Sequence, residues 1–182
     1  MGQPDGEPPP LGRLAGSAPR FDDAQVLSFD YFVHGALFVV RLRQPDSEAS
    51  REAAELAARH HAELRRPLLF ALIIGTDCTM PAPEARRQLA EDQARLGSIC
   101  TAFHTVVLGR ELRQALVRSL VTGFSMLPGR PRPKLEGSIP ELLDVVESEI
   151  GLDRDWLEAE LISAHLIDER EARWGRAGAS LT

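Results

Sequence analysis

Cysteine is scarce in this chain. Cys78 and Cys100 are the only two in 182 residues, which excludes a disulfide-built scaffold and fits a reducing compartment. Lysine is scarcer still: of 21 basic residues only Lys134 is lysine. Set against 27 acidic residues, the 21 basic ones leave a net charge of −6. That deficit of positive charge argues against sequence-independent nucleic-acid binding, which needs a basic surface to meet phosphates. No apolar run reaches the roughly 18 residues of a spanning helix. The longest, Leu68 to Ile74, has the length of a buried strand. Gly-x-Gly-x-x-Gly and Gly-x-x-x-x-Gly-Lys-Ser/Thr are both missing, and with them the two strongest phosphate cradles. His-x-x-x-His and Cys-x-x-Cys are missing as well, so no metal site and no cofactor is expected.

Proline and glycine, by contrast, crowd one end. They fill nine of the first twenty positions, and a segment so composed cannot offset its ordering entropy by burial. Residues 1–23 are expected to be a disordered leader and 173–182 a flexible tail. The N-terminus has no charged region followed by an apolar one, so a cytoplasmic protein is expected.

Between these ends the pattern alternates. Gln25 to Val33 and Ala36 to Arg43, joined at a glycine, predict a hairpin in which Phe38, Val40 and Leu42 face the core. Arg41 and Arg43 are expected to point to solvent. Helical spacing runs from Glu48 to Arg66 and stops at Pro67. Leu68 to Ile74, apolar on both parities, reads as a central parallel strand. A helix from Pro83 to about Ser98, a strand over 102–108, a helix over 110–126 and a short strand at Lys134 to Glu136 follow. Ser138 and Gly151 bracket a helix over 139–150. A last acidic helix is expected from Asp153 to Glu171. The whole predicts one α/β domain, residues 24–151, with a mixed, mostly parallel sheet. An extra C-terminal helix, 152–172, lies outside it.

This element order resembles the STAS domain, and more closely the bacterial STAS/SEC14-like (anti-sigma-factor-antagonist-like) proteins. The likeness rests on Leu68–Ile74 with the Pro81-Ala82-Pro83-Glu84-Ala85-Arg86 that follows, on Thr101–Leu108, and on Val117-Arg118-Ser119-Leu120-Val121-Thr122-Gly123. The resemblance implies a non-enzymatic regulatory or protein-interaction domain with a protein partner. Signalling STAS domains carry a phosphorylatable Ser or Thr after the central strand. Here that loop reads Gly75-Thr76-Asp77-Cys78-Thr79-Met80-Pro81, which makes Thr79 the first phosphoacceptor candidate and Thr76 the second. Prolines 81 and 83 stand where the family has small residues.

Few other residues carry chemistry. Arg86, near a helix start, offers an anion or phosphate contact. His60 and His61 are adjacent on a helix and point about 100° apart. His104, on a strand, reads as a satisfied core or edge histidine. The cysteines should sit a strand length apart, roughly 20 Å, beyond disulfide reach. Ala115, Ser119 and Gly123 form a small-residue line suited to close packing on the sheet. The last helix is either an extra packing layer on the domain or a partner element, in which Leu157 and Leu161, one turn apart, are the candidate partner-binding anchors. The alternative function is a carrier or sensor of a small apolar ligand, held between sheet and helices. An enzyme would require Asp77, Cys78 and His104 to converge.

Overall fold

The computed structural model describes residues 29–43, 47–76, 78, 88, 91–92, 94–108 and 133–173. Strands β1 (Phe29–His34) and β2 (Leu37–Leu42) form the expected hairpin. Gly35 has φ +55°, while Ala36 stays out of the left-handed region, as a type II′ turn requires. Helix α1 (Ser47–Leu64) leads to β3 (Leu68–Ile74), buried along its whole length. Residues 91–92 and 94–96 are helical, and β4 (Cys100–Val107) and β5 (Lys134–Glu136) complete the sheet. Strand order is β1-β2-β3-β4-β5, antiparallel in the hairpin and parallel thereafter. The protein is thus an α/β domain on a mixed, mostly parallel sheet.

Side-chain alternation divides the core in two. On one face Phe38, Val40, Leu42, Phe70, Leu72, Ile74 and Phe103 meet Ala49, Ala53, Ala54 and Ala57 of α1. The sheet supplies the bulk, and alanines let the helix lie close. Aromatics are only 5% of the chain, yet they form a row across four strands. Tyr31 stacks on Phe38 at 6.1 Å, Phe38 on Phe70 at 5.7 Å, and Phe103 meets Phe70 edge-on at 5.2 Å. Such pairs add about 0.5–1.5 kcal/mol each beyond area burial.

The second face carries Leu37, Val39, Leu69, Ala71, Ile73, Ala102 and Val106. Helix α2 (Ile139–Ile150) covers it with Ile139, Leu142, Leu143 and Val146. The Ser138 hydroxyl accepts from the Glu141 N–H at 3.3 Å, and Gly151 closes α2 at φ 71°. Both ends stand where the sequence places them.

The expected C-terminal helix does not run through. It is α3 (Arg154–Ser163) and α4 (Glu169–Arg173), with a reversal between them. The Leu166 N–H bonds Leu161 O at 2.9 Å and the His165 N–H bonds Ile162 O at 3.0 Å, with His165 at φ 59°. This is a Schellman stop with histidine in the position glycine usually takes. Asp168 then caps α4 reciprocally. Its Oδ1 accepts from the Glu171 N–H at 2.8 Å, while Glu171 Oε2 accepts from the Asp168 N–H at 2.9 Å.

The expected boundary at Gly151 also gives way. Leu157, Leu161, Leu166, Ile167 and Ala172 are all at most 2% exposed, in the same cluster as Val39 and Ile73. Residues 153–172 are therefore a layer of the domain, and Leu157 and Leu161 face its own core in place of a partner. The expected leader 1–23, the helix 110–126 with Ala115, Ser119 and Gly123, and the expected tail 173–182 apart from Arg173, which ends α4, lie outside the described residues.

Candidate functional site

The loop after β3 holds the phosphoacceptor candidates. Thr76 is exposed, two residues beyond the strand end, while Asp77, Thr79 and Arg86 lie outside the described residues. Cys78 is buried, and its thiol donates to Leu42 O at 3.1 Å and Arg43 O at 3.3 Å, pinning this loop to the end of β2. Cys100, at the start of β4, is also buried, which pushes its thiol up to about 12. Neither cysteine is bridged, as their places at opposite strand ends require.

Arg41 is not in solvent. On β2 it shares the second face with Leu37 and Val39, where α4 covers it. Its guanidinium donates to Glu171 at 2.6 and 3.0 Å and to Leu166 O at 2.8 Å. Both side chains are less than one-fifth exposed, so this fork is a partly desolvated tie between sheet and α4. Arg43 is exposed as expected, and its Nε donates to Asp30 at 2.8 Å. These groups line an open cleft of about 220 Å³ with His165, Ile167 and Asp168. Asp168 is held below the usual carboxylate range, first by the Glu171 backbone N–H it accepts, and further by the Arg170 N–H and the Arg41 charge.

His104 is wholly buried on β4, between carboxylates from two elements. Nδ1 lies 2.8 Å from Glu136 Oε1 on β5, and Nε2 lies 3.4 Å from Glu149 Oε2 on α2. Lys134 donates to Glu149 at 3.0 Å. A neutral imidazole has one N–H, so satisfying both carboxylates takes a second proton on the ring or on a carboxyl. Partial burial pushes Glu149 up, but the Lys134 hydrogen bond and the His104 charge outweigh it and hold the carboxyl below its usual range. The expected satisfied core histidine is what the structure has. Its partners, 32 and 45 residues away, carry no local sequence signal. Among the described residues, no three His, Cys, Asp or Glu side chains converge as a metal site would need.

One apolar residue of the expected last helix stays at the surface. Trp156, on the first turn of α3, is 37% exposed, the exposed large hydrophobic among the described residues. Asp153 caps this turn, accepting from the Trp156 backbone N–H at 2.8 Å. The ring meets His34 edge-on at 4.7 Å and Phe32 at 6.3 Å. Phe32 and His34 lie on β1, the outermost of the described strands, so indole, phenyl and imidazole form one aromatic patch at that edge. The only hint in sequence is that alternation places Phe32 and His34 on one face of a terminal hairpin.

Comparison with protein-family models, curated proteins and solved structures finds no match to the chain. No helix among the described residues is long and apolar enough to cross a membrane.

Proposed function

We propose that this chain is a cytoplasmic, non-enzymatic interaction domain of the STAS-like kind, working through a protein partner at the β1 edge. The observation that carries the reading is the Trp156–His34–Phe32 patch. Large amphipathic rings held rigid at a surface are the residues most enriched in protein interfaces. A hairpin followed by parallel strands accords with the resemblance, and Thr76 and Thr79 remain the proposed phosphoacceptors after the central strand, with Arg86 as the proposed phosphate contact. The alternative, an apolar-ligand carrier, calls for an enclosed apolar chamber of about 300 Å³ or more. One cleft among the described residues, lined by Arg41, Arg43 and Glu171, is open, charged and about 220 Å³, and is not such a chamber.

The test is Trp156→Ala in the full chain. The variant should melt with the wild type and lose the partners that wild type cross-links in its native cell extract. Unchanged cross-linking would overturn the reading.

A further inference from the structure

We infer that β1 is a self-pairing edge, and that two copies of this chain join through it into one continuous sheet. The inference rests on the reading of the β1 edge as an interaction surface and names its occupant. β1 lies at the end of the strand order and pairs with β2 without a bulge. Its sequence, Phe29-Asp30-Tyr31-Phe32-Val33-His34, contains neither lysine nor proline, two of the devices that protect an open edge, and its one acid, Asp30, is paired to Arg43. The outer groups follow from the hairpin. In a two-residue turn the closing pair, His34 and Leu37, exchanges hydrogen bonds, so Phe32 and Asp30 also aim their backbone groups at β2. Phe29, Tyr31 and Val33 aim theirs outward.

Two copies related by a two-fold axis must pair antiparallel, with side chains of one face opposite each other. Only registers centred on a residue satisfy this. Centring on Tyr31 sets Asp30 against Phe32 of the second copy, a poor match. With the axis at Phe32, every pair is complementary. Phe32 meets Phe32, Tyr31 meets Val33, and the Asp30 carboxylate meets the His34 imidazole, once on each side of the axis. Aromatic and aromatic–β-branched pairs are among those that stabilise neighbouring strands, and a carboxylate opposite an imidazole can accept its N–H. Arg43 contacts Asp30 through Oδ2 alone, so the proposed pairing engages the other carboxylate oxygen, Oδ1. Tyr31 and Val33 carry outward backbone groups, so each exchanges hydrogen bonds with the other in the second copy. Trp156, packed on His34 and Phe32, extends the contact beyond the strand on the same face.

Sedimentation of the full chain at micromolar concentration and above should show a reversible dimer. His34→Glu, at an exposed strand end, places a carboxylate opposite Asp30 twice per dimer and should weaken association ~10-fold. In this register residue 32 faces itself as a non-hydrogen-bonded pair about 4.5 Å apart at Cα, within disulfide range. Phe32→Cys should therefore form a disulfide-linked dimer on mild oxidation, whereas Tyr31→Cys should not. Cys78 and Cys100, both buried, stay silent. A chain monomeric throughout, a dimer indifferent to His34→Glu, or cross-linking through position 31 instead of 32 would overturn the inference. If the chain is monomeric and Trp156→Ala still loses its cross-linked partners, the interaction surface stands and only its occupant is wrong.

Discussion

Ending the chain after Gly151 removes Leu157, Leu161, Leu166, Ile167 and Ala172, which are 0–2% exposed against the second face of the sheet. Burying a large aliphatic side chain is worth about 1.5–3 kcal/mol, so the four large ones together contribute about 6–12 kcal/mol. A whole domain is stable by about 5–15 kcal/mol. The truncation also removes Glu171 from Arg41 and leaves a guanidinium on an apolar face. The truncated chain should therefore not fold cooperatively. Leu161→Ala grades the same effect: a cavity at a site 1% exposed should cost about 2–5 kcal/mol and lower the melting temperature by many degrees. Urea and thermal melts by circular dichroism measure both. A truncated chain that unfolds cooperatively within a few degrees of full length would refute the assignment of residues 153–172 to the core.

His165→Gly relieves a left-handed backbone at the α3 stop and should stabilise by about 0.5–1 kcal/mol in a denaturant melt. Glu171→Gln keeps the reciprocal cap of α4 but removes the charge facing Arg41, and should cost about 1–3 kcal/mol in the same melt. Asp168 and Glu149 are both held below their ordinary values of 3.8 and 4.5, so each is harder to protonate folded than unfolded. Their stabilisation is complete above those ordinary values and drains away as pH falls through the lower folded ones. The double variant Asp168→Asn, Glu149→Gln should flatten the acid limb of melting temperature against pH; an unchanged limb would count against both contacts.

Local signals read well where the chain obeys them. β3 and β5 fall on the predicted residues, and α2 runs between its predicted serine cap and glycine stop. The hairpin turn and the inward parity of Phe38, Val40 and Leu42 also hold. The expected unbroken C-terminal helix divides in two for a physical reason. No glycine or proline marks the break, because His165 takes the left-handed position and apolar Leu166 and Ile167 continue the helical pattern through it. Once that segment folds back, it covers a sheet face that strand alternation alone leaves open. Arg41 turns from an expected solvent residue into a buried-edge anchor because Glu171, 130 residues later, meets it. The Trp156 patch depends on the same docking and has no signature within any one segment.

We propose that this domain meets other proteins at the β1 edge with Trp156. A photo-cross-linking amino acid at position 156 of the full chain, irradiated in the native cell, tests it most directly. Position 55, exposed on α1 against the opposite face, serves as control. Cross-linked species from position 156 and none from position 55, with peptides mapping to residues 29–34 of a second copy, are the predicted result. Absence of any adduct from position 156, or equal adducts from both positions, would contradict it.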